Sequence, residues 1–219
     1  MANNYKSVFE IIGPIMIGPS SSHTAGAVAI GQAAHDLFAD QPTEIRVDYY
    51  ESFAETHLGH GTDYAIVSGV LGFAPDDPRV PDAVEIAQKQ GMTIHFVENQ
   101  GPSPVNHPNT AVVRVSNAKK TIEVTGVSIG GGTIEIRALK FNGYLVKPQG
   151  PLPIVLAIPK PNQTAASIVT QLEAMTTINH QETYTNSEAL PLFEFDLDRR
   201  LQRRQLEQLR AATAQLIYI

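Results

Sequence analysis

The chain has 219 residues, of which 42% are hydrophobic and 17% charged, a composition typical of a soluble globular protein with one or two domains. Its formal net charge of −6 argues against a polyanion partner, so we expect no nucleic acid. The absence of cysteine excludes disulfides, thiol nucleophiles and an iron–sulfur cluster held by thiolates of this chain. Since no window approaches eighteen consecutive apolar residues and the first residues lack an apolar core, we expect no membrane span, no secretory signal and a cytoplasmic location.

The first half of the chain alternates helix and strand patterns. Residues 22–39 predict a helix with small residues on one face, and Gly26 and Gly31 within it indicate that another backbone approaches closely. Residues 5–12 are apolar enough to be buried, but their pattern does not distinguish a strand from a short helix. The remaining predicted elements are a strand at 45–50, a helix that begins near Gly61, a loop at 75–81, a helix that Asp82 caps and Gly91 closes, a strand at 93–97 and a polar loop at 99–109.

From Ala111 onward the hydrophobic period changes to two, which is typical of strands. Strands are predicted at 111–116, 120–129, 133–139 and 144–146, the last after an Asn-Gly hairpin signal. These elements predict an α+β domain over residues 1–146, followed by a linker with two prolines and a glycine at 147–151. Beyond the linker, the order strand 152–158, helix 164–175, strands 177–185 and 190–197, helix 199–212 and strand 214–219 predicts a ferredoxin-like β-α-β-β-α-β module over residues 152–219.

A hydroxyl-rich stretch, Gly-Pro-Ser-Ser-Ser-His-Thr-Ala-Gly, occupies residues 18–26 at the predicted start of the first long helix. Unpaired N–H groups and the positive end of the helix dipole favour an anion there, and a small carboxylate would fit. Ser20, Ser21 and Ser22 are also good N-cap residues, so capping alone would explain them. An N-cap has no need of the imidazole of His23, whose neutral form accepts a proton near pH 7, and this favours a ligand site.

A second polar cluster spans residues 57–63. His57, His60 and Asp63 are spaced three residues apart, and on one face of a helix they could ligate a metal. Two glycines within the span indicate a loop instead, so the helical argument fails locally. We interpret the segment as a polar wall that faces a ligand, in which Thr62 or Asp63 also caps the following helix.

Three further features have both a simple and a functional explanation. Asn109, at the end of the polar loop, could hydrogen-bond a ligand amine or carboxylate, and it is equally a turn residue after proline. Residues 130–132 are three glycines between two strands with no Gly-Lys-Ser after them, which predicts a tight hairpin or bulge rather than a phosphate-binding loop. Five arginines between Arg199 and Arg210 alternate with leucines, which is typical of the solvated face of a helix.

Five motifs occur in a recognisable order and spacing: GPSSSHTAG, SFAETHLGHGTDYAIV, GFAPDDPRVPDA, HPNTA and SIGGGTIEI. Together they resemble the beta subunit of the iron–sulfur-dependent L-serine dehydratases, also called L-serine deaminases. The resemblance covers residues 5–146. Residues 152–219 are similar to an ACT domain, which that subunit has.

The resemblance implies an α+β fold in which a serine dehydratase beta-type domain, of the allosteric-substrate-binding-like kind, precedes a ferredoxin-like βαββαβ ACT domain. It implies an L-serine ammonia-lyase of two different chains that converts L-serine to pyruvate and ammonia, in serine catabolism or gluconeogenesis. The [4Fe–4S] cluster would be bound by cysteines of the alpha subunit, which agrees with the absence of cysteine here.

The resemblance also implies the site residues. Substrate would bind at the interface with the alpha subunit, against Ser20, Ser21, Ser22 and Thr24, and His23 would be the acid/base or orienting group. The same cleft would be lined by His60, Thr62, Asp63 and Asn109. This chain would contribute no metal ligand of its own.

Two departures from the family pattern change what is expected. Glu51 and Glu55 stand where family members tend to have a glycine and a basic residue, so the local charge differs. The loop at 159–163 lacks the glycine that amino-acid-binding ACT domains usually place there, which makes a close backbone approach to a ligand harder. We therefore expect the ACT-like module to self-associate rather than to bind serine.

Two other functions stay open at this point. One is a non-catalytic regulatory module that binds serine, and it is separated from the enzyme by assaying pyruvate with and without the alpha chain. The other is a metal-dependent hydrolase that uses His57, His60 and Asp63, and metal analysis of the single chain separates it.

Overall fold

The computed structural model describes residues 15–161 and 163–219, so the apolar segment at 5–12 lies outside the described residues. The chain divides into two compact units, and the boundary falls between Leu139 and Lys140. The linker predicted at 147–151 lies further along the chain, inside the second unit. Over the described ranges, no helix is long and apolar enough to cross a membrane.

A six-stranded sheet with the order β2-β1-β3-β4-β5-β6 begins in the first unit. Strand β1 runs parallel to β2 and antiparallel to β3, and its inward residues Ile45, Val47 and Tyr49 are fully buried. A π-helical turn at Ser21–Ala25 leads directly into the first helix. The elements are α1 (Gly26–Phe38), β1 (Glu44–Tyr50), α2 (Glu51–His60), α3 (Thr62–Val70), α4 (Ala83–Lys89), β2 (Thr93–Asn99), β3 (Thr110–Ser116), β4 (Thr121–Gly130), β5 (Thr133–Phe141) and β6 (Tyr144–Val146).

Helices α1 and α3 cross in close contact, with a glycine on each at the crossing. A Cβ on Gly31 would lie 2.2 Å from the Ile66 carbonyl oxygen, and a Cβ on Gly69 would lie 2.1 Å from the Val28 carbonyl oxygen. Real Cβ atoms do not approach an oxygen so closely, so the two backbones meet only because neither residue has a side chain. The backbone approach that the sequence predicts at Gly31 is confirmed.

Residues 51–60 form helix α2, and the loop predicted for the His57 to Asp63 segment is wrong. The glycines suggested a loop, but Gly59 lies inside the helix with open space where a Cβ would stand. Gly61 has φ +69°, and its N–H donates to the His57 carbonyl at the end of α2. Because glycine adopts this left-handed conformation without strain, Gly61 turns the chain from α2 into α3 within one residue.

The second unit contains a four-stranded sheet with the order β10-β7-β9-β8, in which β7 pairs antiparallel with β9 and β10. Its elements are β7 (Ile154–Ile158), α5 (Ala165–Glu173), β8 (Ile178–Thr185), β9 (Pro191–Leu197), α6 (Arg203–Ala212) and β10 (Gln215–Tyr218). Strands and helices thus alternate as β-α-β-β-α-β, although α6 begins after a capping box at Gln202 rather than at Arg199. Phe193 and Phe195 of β9 form the core of this unit with helix residues such as Ile168 and Leu209.

Two carboxylates of β9, Glu194 and Asp196, alternate with the core phenylalanines and are fully buried. Burial raises the pKa of Glu194 to about 7, an effect that the Asp196 carboxylate reinforces and the Tyr184 hydroxyl opposes. Burial also raises the pKa of Asp196, while His180 opposes that shift. The folded unit therefore holds a proton that the unfolded chain would release at lower pH.

The crossing of α1 and α3 predicts a large effect of a single methyl group. Gly31→Ala forces the added Cβ against the Ile66 carbonyl, and overpacking of this kind lowers the free energy of unfolding by about 1–3 kcal/mol. Urea unfolding of the full chain measures the change, provided that the slope of the free energy of unfolding against urea concentration is unchanged. Gly101→Ala is the control, because nothing lies within 4 Å of a Cβ there. Equal midpoints for the two variants would contradict the close crossing.

The buried carboxylates predict a pH-dependent stability. Since folding raises the pKa of Glu194 from 4.5 to about 7, the folded state binds the proton more tightly, and the free energy of unfolding falls as pH rises through this window. Glu194→Gln removes that dependence and should be more stable than the parent chain at pH 8. Unfolding of the full chain in urea between pH 5 and pH 8 measures it. The exposed Glu188→Gln is the control, and a Glu194→Gln curve parallel to the parent curve would contradict the prediction.

Candidate functional site

The π-helical turn before α1 holds its hydroxyl groups through short-range hydrogen bonds. Ser20 is extended at the N-cap, and its Oγ accepts the His23 N–H at 3.3 Å. The Thr24 N–H donates to the Ser20 carbonyl at 2.8 Å, and the Gly26 N–H reaches back five residues to the Ser21 carbonyl. Capping and ligand binding are therefore compatible, because Ser20 accepts from the N–H groups of His23 and Thr24, while those of Ser21 and Ser22 precede any intrahelical acceptor.

The His23 side chain stands at the centre of the site and is half-buried. Its Nδ1 lies 2.9 Å from Ser22 Oγ, and its Nε2 lies 3.5 Å from Ser52 Oγ at the start of α2. The ring packs edge-on against Phe53 and His60, with centroid distances of 5.1 and 4.6 Å. Burial lowers the pKa of His23, and the charge of His60 lowers it further, so the imidazole is neutral near pH 7.

The corner between α2 and α3 forms the second side of the site. Thr24 Oγ1 donates to the His60 carbonyl at 3.1 Å, which joins the turn before α1 to this corner. His60 Nδ1 and Thr62 Oγ1 are buried and have no hydrogen-bond partner within the described ranges. Buried polar atoms of this kind usually have a partner, so a bound ligand or water is expected beside them.

Asn109 lies near the first residue of α1. Its Nδ2 donates to the Ser128 carbonyl at 3.3 Å, and Ser128 Oγ packs against Gly26, where a Cβ would lie 2.3 Å away. The neighbour predicted at Gly26 is thus a side chain and not a backbone. Asn109 Oδ1 is buried and, as far as the described chain extends, has no hydrogen-bond partner.

His57 and Asp63 make a second set of contacts, with each other and with Glu98. His57 Nδ1 lies 2.7 Å from Asp63 Oδ1, and His57 Nε2 lies 2.9 Å from Glu98 Oε1. Both nitrogens of His57 are therefore engaged, while His60 packs on His23 instead. The described residues contain no group of three or more His, Asp or Glu side chains that could hold a metal, so the triple His57, His60 and Asp63 is not assembled as a metal site.

Most residues around His23 were predicted from the sequence, whereas Ser52 beside His23 and Glu98 beside His57 were not. The structure brings Ser20, Ser22, His23, Thr24 and His60 together, with Ser21 half-buried in the same turn. Ser52 was missed because a serine at the end of a strand has no distinctive pattern. Glu98 was missed because the strand was predicted to end at Val97, whereas β2 extends to Asn99.

Comparison with known proteins decides the family. The family model described as serine dehydratase beta chain matches residues 7–138, which is more than half of the chain. The chain belongs to the serine dehydratase beta-chain family. The resemblance found in the sequence motifs is thereby confirmed, whereas the similarity of the second unit to an ACT domain stays a prediction because the match ends at residue 138.

Individual members of the serine dehydratase family resemble the chain over most of its length. The "Probable L-serine dehydratase, beta chain" of Bacillus subtilis is 51% identical over 155 residues, which cover 70% of this chain and 68% of that protein. The "L-serine dehydratase, beta chain" of Peptoniphilus asaccharolyticus is 40% identical over 152 residues, or 68% of this chain and 67% of that protein. "L-serine dehydratase 2" of Escherichia coli is 34% identical over 150 residues, which cover 58% of this chain and 33% of that protein.

The contacts of His23 and His57 predict opposite titrations. Burial moves the pKa of His23 below 6.5, whereas the hydrogen bonds to Glu98 and Asp63 outweigh burial and move the pKa of His57 above 6.5. Imidazole proton NMR across pH 5–9 measures both, with His23→Gln and His57→Gln used to assign the signals. A pKa of His23 higher than that of His57 would contradict the contacts observed around the two rings.

Proposed function

We propose that this chain is the beta subunit of a two-chain L-serine ammonia-lyase, which converts L-serine to pyruvate and ammonia. The observation that supports this most is a neutral, half-buried His23 surrounded by hydroxyls at the start of a long helix, in a chain of the serine dehydratase beta-chain family. Two relatives are named as beta chains, which favours an alpha-chain partner. The turn Ser20–Thr24 then faces the alpha subunit.

The turn before α1 would bind the carboxylate of L-serine. The first N–H groups of a helix lack intrahelical partners, and the helix dipole places a partial positive charge there. The hydroxyls of Ser20, Ser21 and Ser22 add donors around the same point. Asn109 Oδ1, and His60 Nδ1 in the tautomer with its proton on Nε2, are buried acceptors without a partner among the described residues, and they would suit the substrate ammonium group.

His23 would remove the α-proton of L-serine. When Nδ1 is protonated and donates to Ser22 Oγ, the lone pair resides on Nε2, the ring atom that faces Ser52. Nε2 takes the α-proton and then delivers it to the β-hydroxyl, which leaves as water as its C–O bond breaks. This returns His23 to its neutral form and yields aminoacrylate. Its tautomer, the imine of pyruvate, is then hydrolysed to pyruvate and ammonia, so the water lost in the first step is regained.

The residues of this chain do not fit an iron–sulfur cluster. The sequence has no cysteine, and the part of the chain that the structure describes has no cluster of three metal-ligating side chains. We therefore assign a [4Fe–4S] cluster to the alpha subunit, and none of the steps above depends on it. Residues 1–146 would form the beta domain, residues 147–151 a linker and residues 152–219 an ACT-like module for self-association.

The proposal is tested by His23→Gln in a complex with the alpha chain. Loss of a general base lowers kcat by about 10²–10⁴-fold, and pyruvate formation measures it. His95→Gln is the matched control, because this histidine is exposed on β2 and is not part of the site. Full turnover with His23→Gln would contradict the assigned role.

Two further outcomes would support a different function. An alpha chain that is fully active alone would indicate that this chain is a regulatory serine-binding module. Stoichiometric zinc or iron in the isolated chain would indicate a metal-dependent enzyme in its own right.

A further inference from the structure

His57 occupies an unusual position for a buried ionisable side chain, since a carboxylate faces each of its ring nitrogens. It lies on α2 and is 4% exposed. Asp63 in the first turn of α3 approaches Nδ1 to 2.7 Å, and Glu98 on β2 approaches Nε2 to 2.9 Å. The ring stacks on Tyr49 of β1, with centroids 4.7 Å apart. One side chain thus connects three neighbouring elements to its own helix.

The contacts of His57 Nδ1 with Asp63 and of His57 Nε2 with Glu98 indicate which protonation state of the imidazole fits this geometry. A neutral imidazole has a single N–H, so one of its nitrogens would place a lone pair against a carboxylate. Only the imidazolium donates to both oxygens. Tyr49 is a further ionisable side chain that packs on His57. It stays uncharged and does not change the conclusion, because burial and the nearby Asp63 raise its pKa well above the ordinary value.

A series of contacts links His57 to His23, the proposed general base. His60 lies one turn after His57 on α2, and its carbonyl accepts the hydrogen bond from Thr24 Oγ1. The His60 ring packs on His23 at 4.6 Å. Any shift of the corner between α2 and α3 therefore changes what His23 packs against.

We propose that His57 is a positioning residue, which donates to Asp63 and Glu98 at once and thereby fixes the α2–α3 corner and His60 against His23. As a statement about catalysis this rests on the proposed role of His23. In this assignment Asp63 acts through His57 rather than by touching the substrate. The arrangement also predicts that the corner loosens at alkaline pH.

The direction of the pH effect follows from linkage. Burial lowers the pKa of His57, but the hydrogen bonds to Glu98 and Asp63 raise it more, so the net shift is upward from 6.5. The stabilisation is complete below 6.5 and is lost as pH rises through the pKa of the folded state. The His60 ring signal and the Thr24 amide signal should therefore change in the isolated chain at the pH at which His57 titrates.

The first experiment is an NMR titration of the full chain without its partner. We expect the change at His60 and Thr24 to coincide with the His57 titration in the parent chain and in the control His95→Gln. In Glu98→Gln the change at His60 and Thr24 should move to lower pH together with the pKa of His57. This substitution should disturb the fold little, because the Glu98 side chain is half exposed. His60 and Thr24 signals that are insensitive to His57 protonation would overturn the positioning role.

The second experiment measures the pH profile of the complex with the alpha chain. His57→Gln should lower kcat by about 10–100-fold at pH 6.5, the effect of a small misplacement of a catalytic group, with a KM change below about 2-fold. We expect kcat to fall at alkaline pH as His57 loses its proton. If His57→Gln fails to fold, Glu98→Gln provides the test, because this fall of kcat should shift to lower pH by the same amount as the NMR titration of His57. An unmoved decline would overturn the inference. Full turnover by His23→Gln would instead overturn the proposed function alone, since the NMR titration needs no turnover.

Discussion

The backbone contact between α1 and α3 is the constraint on which the rest of the first unit depends. Gly31 and Gly69 let the helices touch without intervening side chains, so α1 has one position relative to α3. That position places the turn before α1 beside the corner at which α2 ends. The hydrogen bond from Thr24 to His60 and the ring contact between His23 and His60 both require it. Two glycines outside the site thus determine whether the site exists.

Local chemistry made part of this arrangement predictable. Serines and a histidine ahead of an apolar helix pattern identified the turn at Ser20–Thr24, because caps and anion sites use the same groups. Helix α2 was not predictable, because Gly59 lowers helix propensity and only tertiary packing of Phe53 and His57 offsets that loss. The pairing of His57 with Glu98 joins residues 41 positions apart, and no local pattern reports such a contact.

Each unit contains a buried ionisable side chain whose pKa is raised, His57 in the first unit and Glu194 in the second. The raised pKa has the same consequence for stability in both units. At His57 the shift favours the charged ring, because two carboxylates face it. At Glu194 it favours the uncharged acid, because burial and Asp196 oppose a second charge. In each case the folded state binds a proton more tightly than the unfolded chain does. A rise in pH therefore weakens both units, between pH 4.5 and about 7 at Glu194 and above 6.5 at His57, for opposite electrostatic reasons.

The π-helical turn at Ser21–Ala25 places one extra residue in the first turn of the helical segment, since the Gly26 N–H pairs with the Ser21 carbonyl five positions back. In a regular α-helix each residue advances the rotation by about 100°. Deleting one residue from this turn would therefore keep the hydroxyl composition but rotate the serines by roughly a quarter of a circle relative to α1. The spacing between the hydroxyls and Gly31 is thus as much a part of the site as the hydroxyls themselves, and homologous sequences that function alike should conserve the length of this segment.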